Sequence, residues 1–186
     1  MASLKIKDII VPINEYATVS QGATLHDAIQ ALAKTQAEFD QSRDKHRAIL
    51  VLDNDDKVVG KLSQIDVIRG LEPGYKKVEQ SLDMKHWALR KEDVSNILKD
   101  LHLWQTPLKD IFKKSDTIQV SDVMHTPEDG EYVSQDASLD EAMHQLVIGQ
   151  HQSLLVVDAN DYKVIGILRL TDVFSTIAKV ISQDES

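Results

Sequence analysis

Apolar residues recur at helical spacing in two stretches that read alike: Leu25, Ala28, Ile29 and Leu32, then Leu139, Ala142, Met143 and Leu146. Each stretch opens on a helix-start pattern, Thr24 with Asp27 and Ser138 with Glu141. Each is followed by a short run of branched apolar residues, 49–52 or 154–157, which reads as a strand. Polar turns come next, Asp53-Asn54-Asp55 and Asp158-Ala159-Asn160-Asp161. A second apolar run, 58–62 or 164–168, then predicts an antiparallel hairpin. The closing segments carry Val67 and Ile68, or Val173, Phe174 and Ile177, and predict a final helix.

The likeness is an internal repeat. "IKDII" (6–10) returns as "VSDVM" (120–124), and "ATLHDAIQAL" (23–32) as "ASLDEAMHQL" (137–146). "AILVLDNDDKVVGKLSQIDV" (48–67) returns as "SLLVVDANDYKVIGILRLTDV" (153–173). The first copy carries an extra stretch near "QAEFDQSRD". Each unit reads strand-helix-strand-strand-helix and is small for an independent core. The expectation is an α+β fold in which two repeats pack as a pseudo-twofold pair, with a shallow cleft where their sheets meet. The boundaries expected are a first repeat over 1–71, a helical insertion over 72–118 and a second repeat over 119–186.

The insertion opens on the turn signal Pro73-Gly74 and holds both tryptophans, Trp87 and Trp104. Val94, Ile97, Leu98, Leu101 and Trp104 follow helical spacing. That stripe either packs on the repeat pair or serves as a partner surface, since aromatics anchor interfaces.

Composition narrows the classes. The chain has 186 residues, a formal charge of −9 and no cysteine. A broad acidic field disfavours nucleic acid and anionic membranes, while leaving room for a local basic pocket for one small anion. No apolar run approaches the ~20 residues that cross a bilayer, and "MASLKIKDII" lacks a secretory pattern. A cytoplasmic setting without membrane insertion is expected. Phosphate-loop, HExxH and GxSxG motifs are missing, and cysteine catalysis is impossible, so a non-enzyme is expected. His26, His86, His102, His125 and His144 show no metal-site spacing, and the run at 54–56 reads as a turn rather than a calcium loop.

Candidate chemistry gathers after the hairpins. In "GKLSQID" (60–66), Ser63 and Asp66 stand at capping-box spacing. The same pair could hold a ligand. A carboxylate offers two oxygens to a cis-diol, and a hydroxyl beside helix N-terminal amides suits a phosphate. The second copy reads "GILRLTD", with Arg169 in place of the serine and Asp172 retained. Arg169 could pair with a phosphate, lie on the surface, or fill the site with its own side chain.

The doubled pattern "DVM…V…ASLDEAM…LLVVD…KVIGILRLTDV" resembles the cystathionine β-synthase (CBS) domain, whose tandem pair is called a Bateman module. The resemblance covers both repeats but not the insertion. It implies regulatory binding of an adenosyl ligand: AMP, ADP, ATP (with magnesium as a companion of ATP) or S-adenosylmethionine. The family's ligand motif, glycine then Ser or Thr then Asp, matches at Gly60, Ser63 and Asp66. It implies that Asp66 accepts from the ribose hydroxyls and that Ser63 faces the phosphate. In similar nucleotide-sensing repeats a His-Arg pair before the hairpin contacts phosphate. This makes His46 and Arg47 candidates, and His151 a weaker one because Gln152 follows it; His46 and Arg47 read equally as solvated residues at a strand entrance. The family's adenine rests on the leading strand, which implies Val11, Ala17 and Thr18, or Met124, Glu131 and Tyr132. The resemblance further implies a homodimer and an unidentified effector protein that reads the ligand-dependent shape. The competing expectation is a ligand-free interaction scaffold acting through the insertion.

Overall fold

The computed structural model describes residues 5–39, 45–72, 74–75 and 107–184. Trp87, Trp104 and the helical stripe from Val94 to Trp104 lie outside the described residues, as does the centre of the extra stretch at 40–44. The first repeat runs β1 (Val11–Pro12), β2 (Thr18–Ser20), α1 (Leu25–Glu38), β3 (Ala48–Leu52), β4 (Val58–Ser63) and α2 (Gln64–Leu71). Helix α3 (Leu108–Ser115) follows. The second repeat runs β5 (Tyr132–Ser134), α4 (Leu139–Ile148), β6 (Ser153–Val157), β7 (Val164–Arg169) and α5 (Leu170–Asp184). The fold is the expected α+β pair.

Local chemistry sets the element starts. The Thr24 hydroxyl accepts from the Asp27 amide at 3.2 Å, and the Asp27 carboxylate accepts from the Thr24 amide at 2.9 Å. This reciprocal box satisfies amides that the first turn leaves orphaned. Ser138 accepts from the Glu141 amide at 3.2 Å in the same position of the second repeat. Both hairpins are antiparallel, with a register irregularity after Val51 in one and after Val156 in the other. β2 joins β3 in parallel, and β5 joins β6 in parallel.

The leading segments cross between repeats. β1 of the first repeat pairs antiparallel with β7 of the second, Val11 opposite Ile167 and Pro12 opposite Gly166. Reciprocally, His125 of the second repeat exchanges two 2.8 Å backbone hydrogen bonds with Lys61 on β4 of the first. Side chains cross with the backbone. Ile6 is buried among Val133, Leu146, Leu154 and Leu168 of the second repeat. Val120 is buried among Leu25, Ile49 and Leu62 of the first. A third cluster, Val11, Tyr16, Phe39, Leu50, Leu155 and Ile167, joins the two sheets. Fully burying each large apolar side chain contributes about 1.5–3 kcal/mol. Each repeat's core is completed by side chains of the other.

A charged contact accompanies the crossing at Lys61. The Lys61 ammonium and the His125 imidazole both meet the Glu131 carboxylate, which is only 3% exposed. The Glu128 amide donates to the same carboxylate at 3.1 Å. Burial alone would raise the Glu131 pKa. The hydrogen bonds from Lys61 and His125, the Lys61 charge and the Glu128 amide outweigh it and hold the pKa at about 2. A depressed carboxylate pKa stabilises the fold above the unfolded value of about 4.5, and that stability is lost as pH falls toward 2. Glu131→Gln is expected to lower stability at neutral pH by roughly 1.5–3 kcal/mol, the range for a hydrogen bond to a charged group. The gap to wild type should close between about pH 4.5 and 2 in urea melts. A gap that persists undiminished at low pH would contradict this ionic role.

Candidate functional site

The ends of β4 and β7 meet across one cleft of about 450 Å³. Backbone hydrogen bonds place its walls. The Gln64 amide donates to the Arg47 carbonyl at 3.1 Å, and the Leu170 amide donates to the Gln152 carbonyl at 3.0 Å. Each last helix thereby starts against the entrance of its own hairpin. Ala48 opposite Ser63, and Ser153 opposite Arg169, complete the symmetry.

In the first repeat Ser63 caps α2. Its hydroxyl accepts from the Asp66 amide at 3.3 Å, and its amide donates to Asp66 Oδ2 at 2.9 Å. The hydroxyl also donates to Oδ2 at 2.5 Å. The other oxygen, Oδ1, stands 3.7 Å from Arg69. Capping and cleft-lining are therefore both true of this pair, because Ser63 and Asp66 also line the cleft. Arg47, His151 and Arg169 line it as well.

Arg169 takes the place of Ser63 in the second repeat and behaves differently. It is 5% exposed. Its Nε and Nη2 donate to the two oxygens of Asp172 at 2.5 and 2.7 Å. A bidentate pair of this kind fixes both side chains in one geometry. Its guanidinium also lies over the Phe39 ring, 5.5 Å from the centroid.

The other expected residues sit elsewhere. His46 is fully buried, its ring 4.3 Å from Tyr16 and 4.0 Å from Phe39 between centroids, and it does not line the cleft. The side chains of Val11 and Ala17 are buried in the core, and Thr18 pairs with Leu50 in the sheet. Tyr132 lines a separate hollow of about 810 Å³ beside the two hairpin turns, with Asp56, Tyr162 and Val164. Tyr16, by contrast, does reach the cleft, and burial pushes its phenol up to about 12, so it stays neutral.

The cleft also gathers Lys45, Lys61, His125, Glu131 and Thr171. Only Glu131 had been singled out from the sequence. A signal for Lys61 exists in the repeat itself. Lys61 faces the cleft on β4 where the second copy carries the buried Ile167 on β7. A charge at a position that its repeat-mate keeps apolar marks a changed environment.

Comparisons with known proteins agree with this geometry. The CBS domain model matches residues 6–73 and 120–179, well over half of the chain. No curated protein matches the sequence. Among solved structures, the CBS-pair protein CBSX2 from Arabidopsis thaliana is 21% identical, with 97% of this chain and 99% of that one covered and a TM-score of 0.58. CBSX2 in complex with AMP is 20% identical, with coverages of 95% and 97% and a TM-score of 0.57. The CBS domain of a bacterial CNNM/CorC family Mg2+ transporter in complex with ATP is 15% identical, with coverages of 94% and 87% and a TM-score of 0.57. Protein MJ1004 from Methanocaldococcus jannaschii is 18% identical with a TM-score of 0.57; 95% of this chain is covered, and it spans only 60% of that longer one. At these identities the structural likeness is one of fold. With two matched regions, a duplicated sheet-and-helix unit and crossed leading segments, the chain belongs to the CBS domain family as a tandem pair.

Proposed function

We propose that this protein is a regulatory module that binds an adenine nucleotide, AMP, ADP or ATP, in the half of the cleft built by Ser63 and Asp66. The observation that carries the reading is the convergence of Ser63, Asp66, Arg47, Lys45, Lys61 and His151 on one cleft between the repeats. Its volume of about 450 Å³ suits a small ligand. The cations that line it stand out in a chain of net charge −9 and favour an anion. Asp66 Oδ1 is the acceptor for ribose hydroxyls, because Oδ2 serves the helix cap. The start of α2 and the Arg47 guanidinium suit the phosphates. AMP in CBSX2 and ATP in the transporter CBS domain support the ligand class. Binding across two interlocked repeats would bias their relative orientation, and an effector protein would read that bias.

Self-association belongs to the same reading. The last helices leave apolar side chains in solvent: Ile68 on α2, and Phe174, Ile177 and Ile181 on α5, with Phe174 69% exposed. A second copy of the chain would cover them.

Two measurements test these statements. Asp66→Asn should weaken AMP or ATP binding by roughly 10–100-fold in titration calorimetry, the equivalent of one hydrogen bond to a charged group. Unchanged affinity would show that the ribose is not held there. Phe174→Asp should shift the light-scattering mass from dimer to monomer; a wild type that is already monomeric would refute the self-association.

A further inference from the structure

The repeat makes positions equivalent across the two halves of the cleft, and those positions have diverged as a set. The first half presents Lys61, His125 and Glu131, a paired charged cluster that lines the cleft. Their counterparts in the second half are Ile167, Val11 and Ala17, all buried at 1% exposure or less. The crossing there is also tight. A Cβ on Gly166 would stand 2.6 Å from the Val11 carbonyl oxygen, a backbone atom that cannot move aside. Beside this apolar floor the His46 ring meets both Tyr16 and Phe39 in tilted contacts. Arg169 spans the group. It holds both oxygens of Asp172, lies over Phe39, and places Nη1 3.5 Å from His46 Nδ1.

We infer that Arg169 is a built-in occupant of the second half-site, so that each chain takes one nucleotide rather than two. The inference rests on the nucleotide reading of the first half. Asp172 is the counterpart of Asp66, and the guanidinium engages the carboxylate that a second ribose would need. Arg169 is buried, Asp172 largely covered, and the pair is bidentate, where surface pairs are exposed and loosely held.

The test counts bound ligand by titration calorimetry, with AMP and then with ATP, on the full chain. Wild type should bind one equivalent. Arg169→Ser, which restores the residue type of Ser63, should bind two. Arg169→Ser with Asp66→Ala should keep one, where Asp66→Ala alone keeps none. Two equivalents in wild type would overturn the inference, and so would a single one in Arg169→Ser that Asp66→Ala abolishes. If wild type binds none, the nucleotide reading of the first half fails. A gain of one equivalent in Arg169→Ser then still supports the plug, and no gain overturns it too. Arg169→Ser strands a largely covered carboxylate and could unfold the chain, so Asp172→Asn serves beside it. That variant keeps an acceptor for the guanidinium and should leave ligand number and affinity within twofold of wild type. Loss of an equivalent in Asp172→Asn would mean that Asp172 holds ligand, and the inference would fall.

Discussion

The two 2.8 Å hydrogen bonds between Lys61 and His125, and the pairing of Val11 with Ile167, tie each repeat's leading segment to the other repeat's hairpin. A unit of about 60 residues buries too little apolar surface to be secure alone. Here Ile6 and Val120 complete cores that are not their own. The exchange ties the core of each repeat to the chain of the other. It also brings the ends of β4 and β7 to face each other, and that juxtaposition is the cleft. Ser63, Asp66 and Arg47 belong to one repeat, and His125, Glu131 and His151 to the other. The site exists only because the chain crosses.

Duplication gave two half-sites, and the physical chemistry of each has gone its own way. One half keeps a serine at the helix start, with a carboxylate oxygen directed away from the cap. It is lined by charged side chains whose desolvation is offset by mutual pairing, as in the Lys61–Glu131–His125 group. The other half is closed by the tilted ring contacts of His46 with Tyr16 and Phe39 and by the Arg169–Asp172 pair. An ion pair in such a place contributes little net stability against an apolar replacement, but removing one partner is costly.

The sequence was most legible where structure is local. The Thr24–Asp27 and Ser138–Glu141 caps involve residues three apart, and the hairpins follow from alternation around a polar turn. The pseudo-twofold pair followed from the repeat. The crossing was not legible, because Val11–Pro12 is two residues long and nothing local says which sheet it will join. His46 shows the same limit. Its place before the hairpin matched a phosphate contact, yet Tyr16 from before the first long helix and Phe39 from that helix's end bury it. Arg169 lay three residues from Asp172 in plain view, but only burial distinguishes a fixed bidentate pair from a solvated one. Lys61 belongs to no motif; its signal is the contrast with Ile167 at the equivalent position of the other repeat.

A crystal structure of the chain grown with AMP would test the central claim, that the crossed repeats build one open nucleotide site and one self-filled site. The account predicts a single AMP, its ribose on Asp66 and its phosphate toward Arg47, with Arg169 still bonded to Asp172. A nucleotide on Asp172, with Arg169 turned aside, would contradict it.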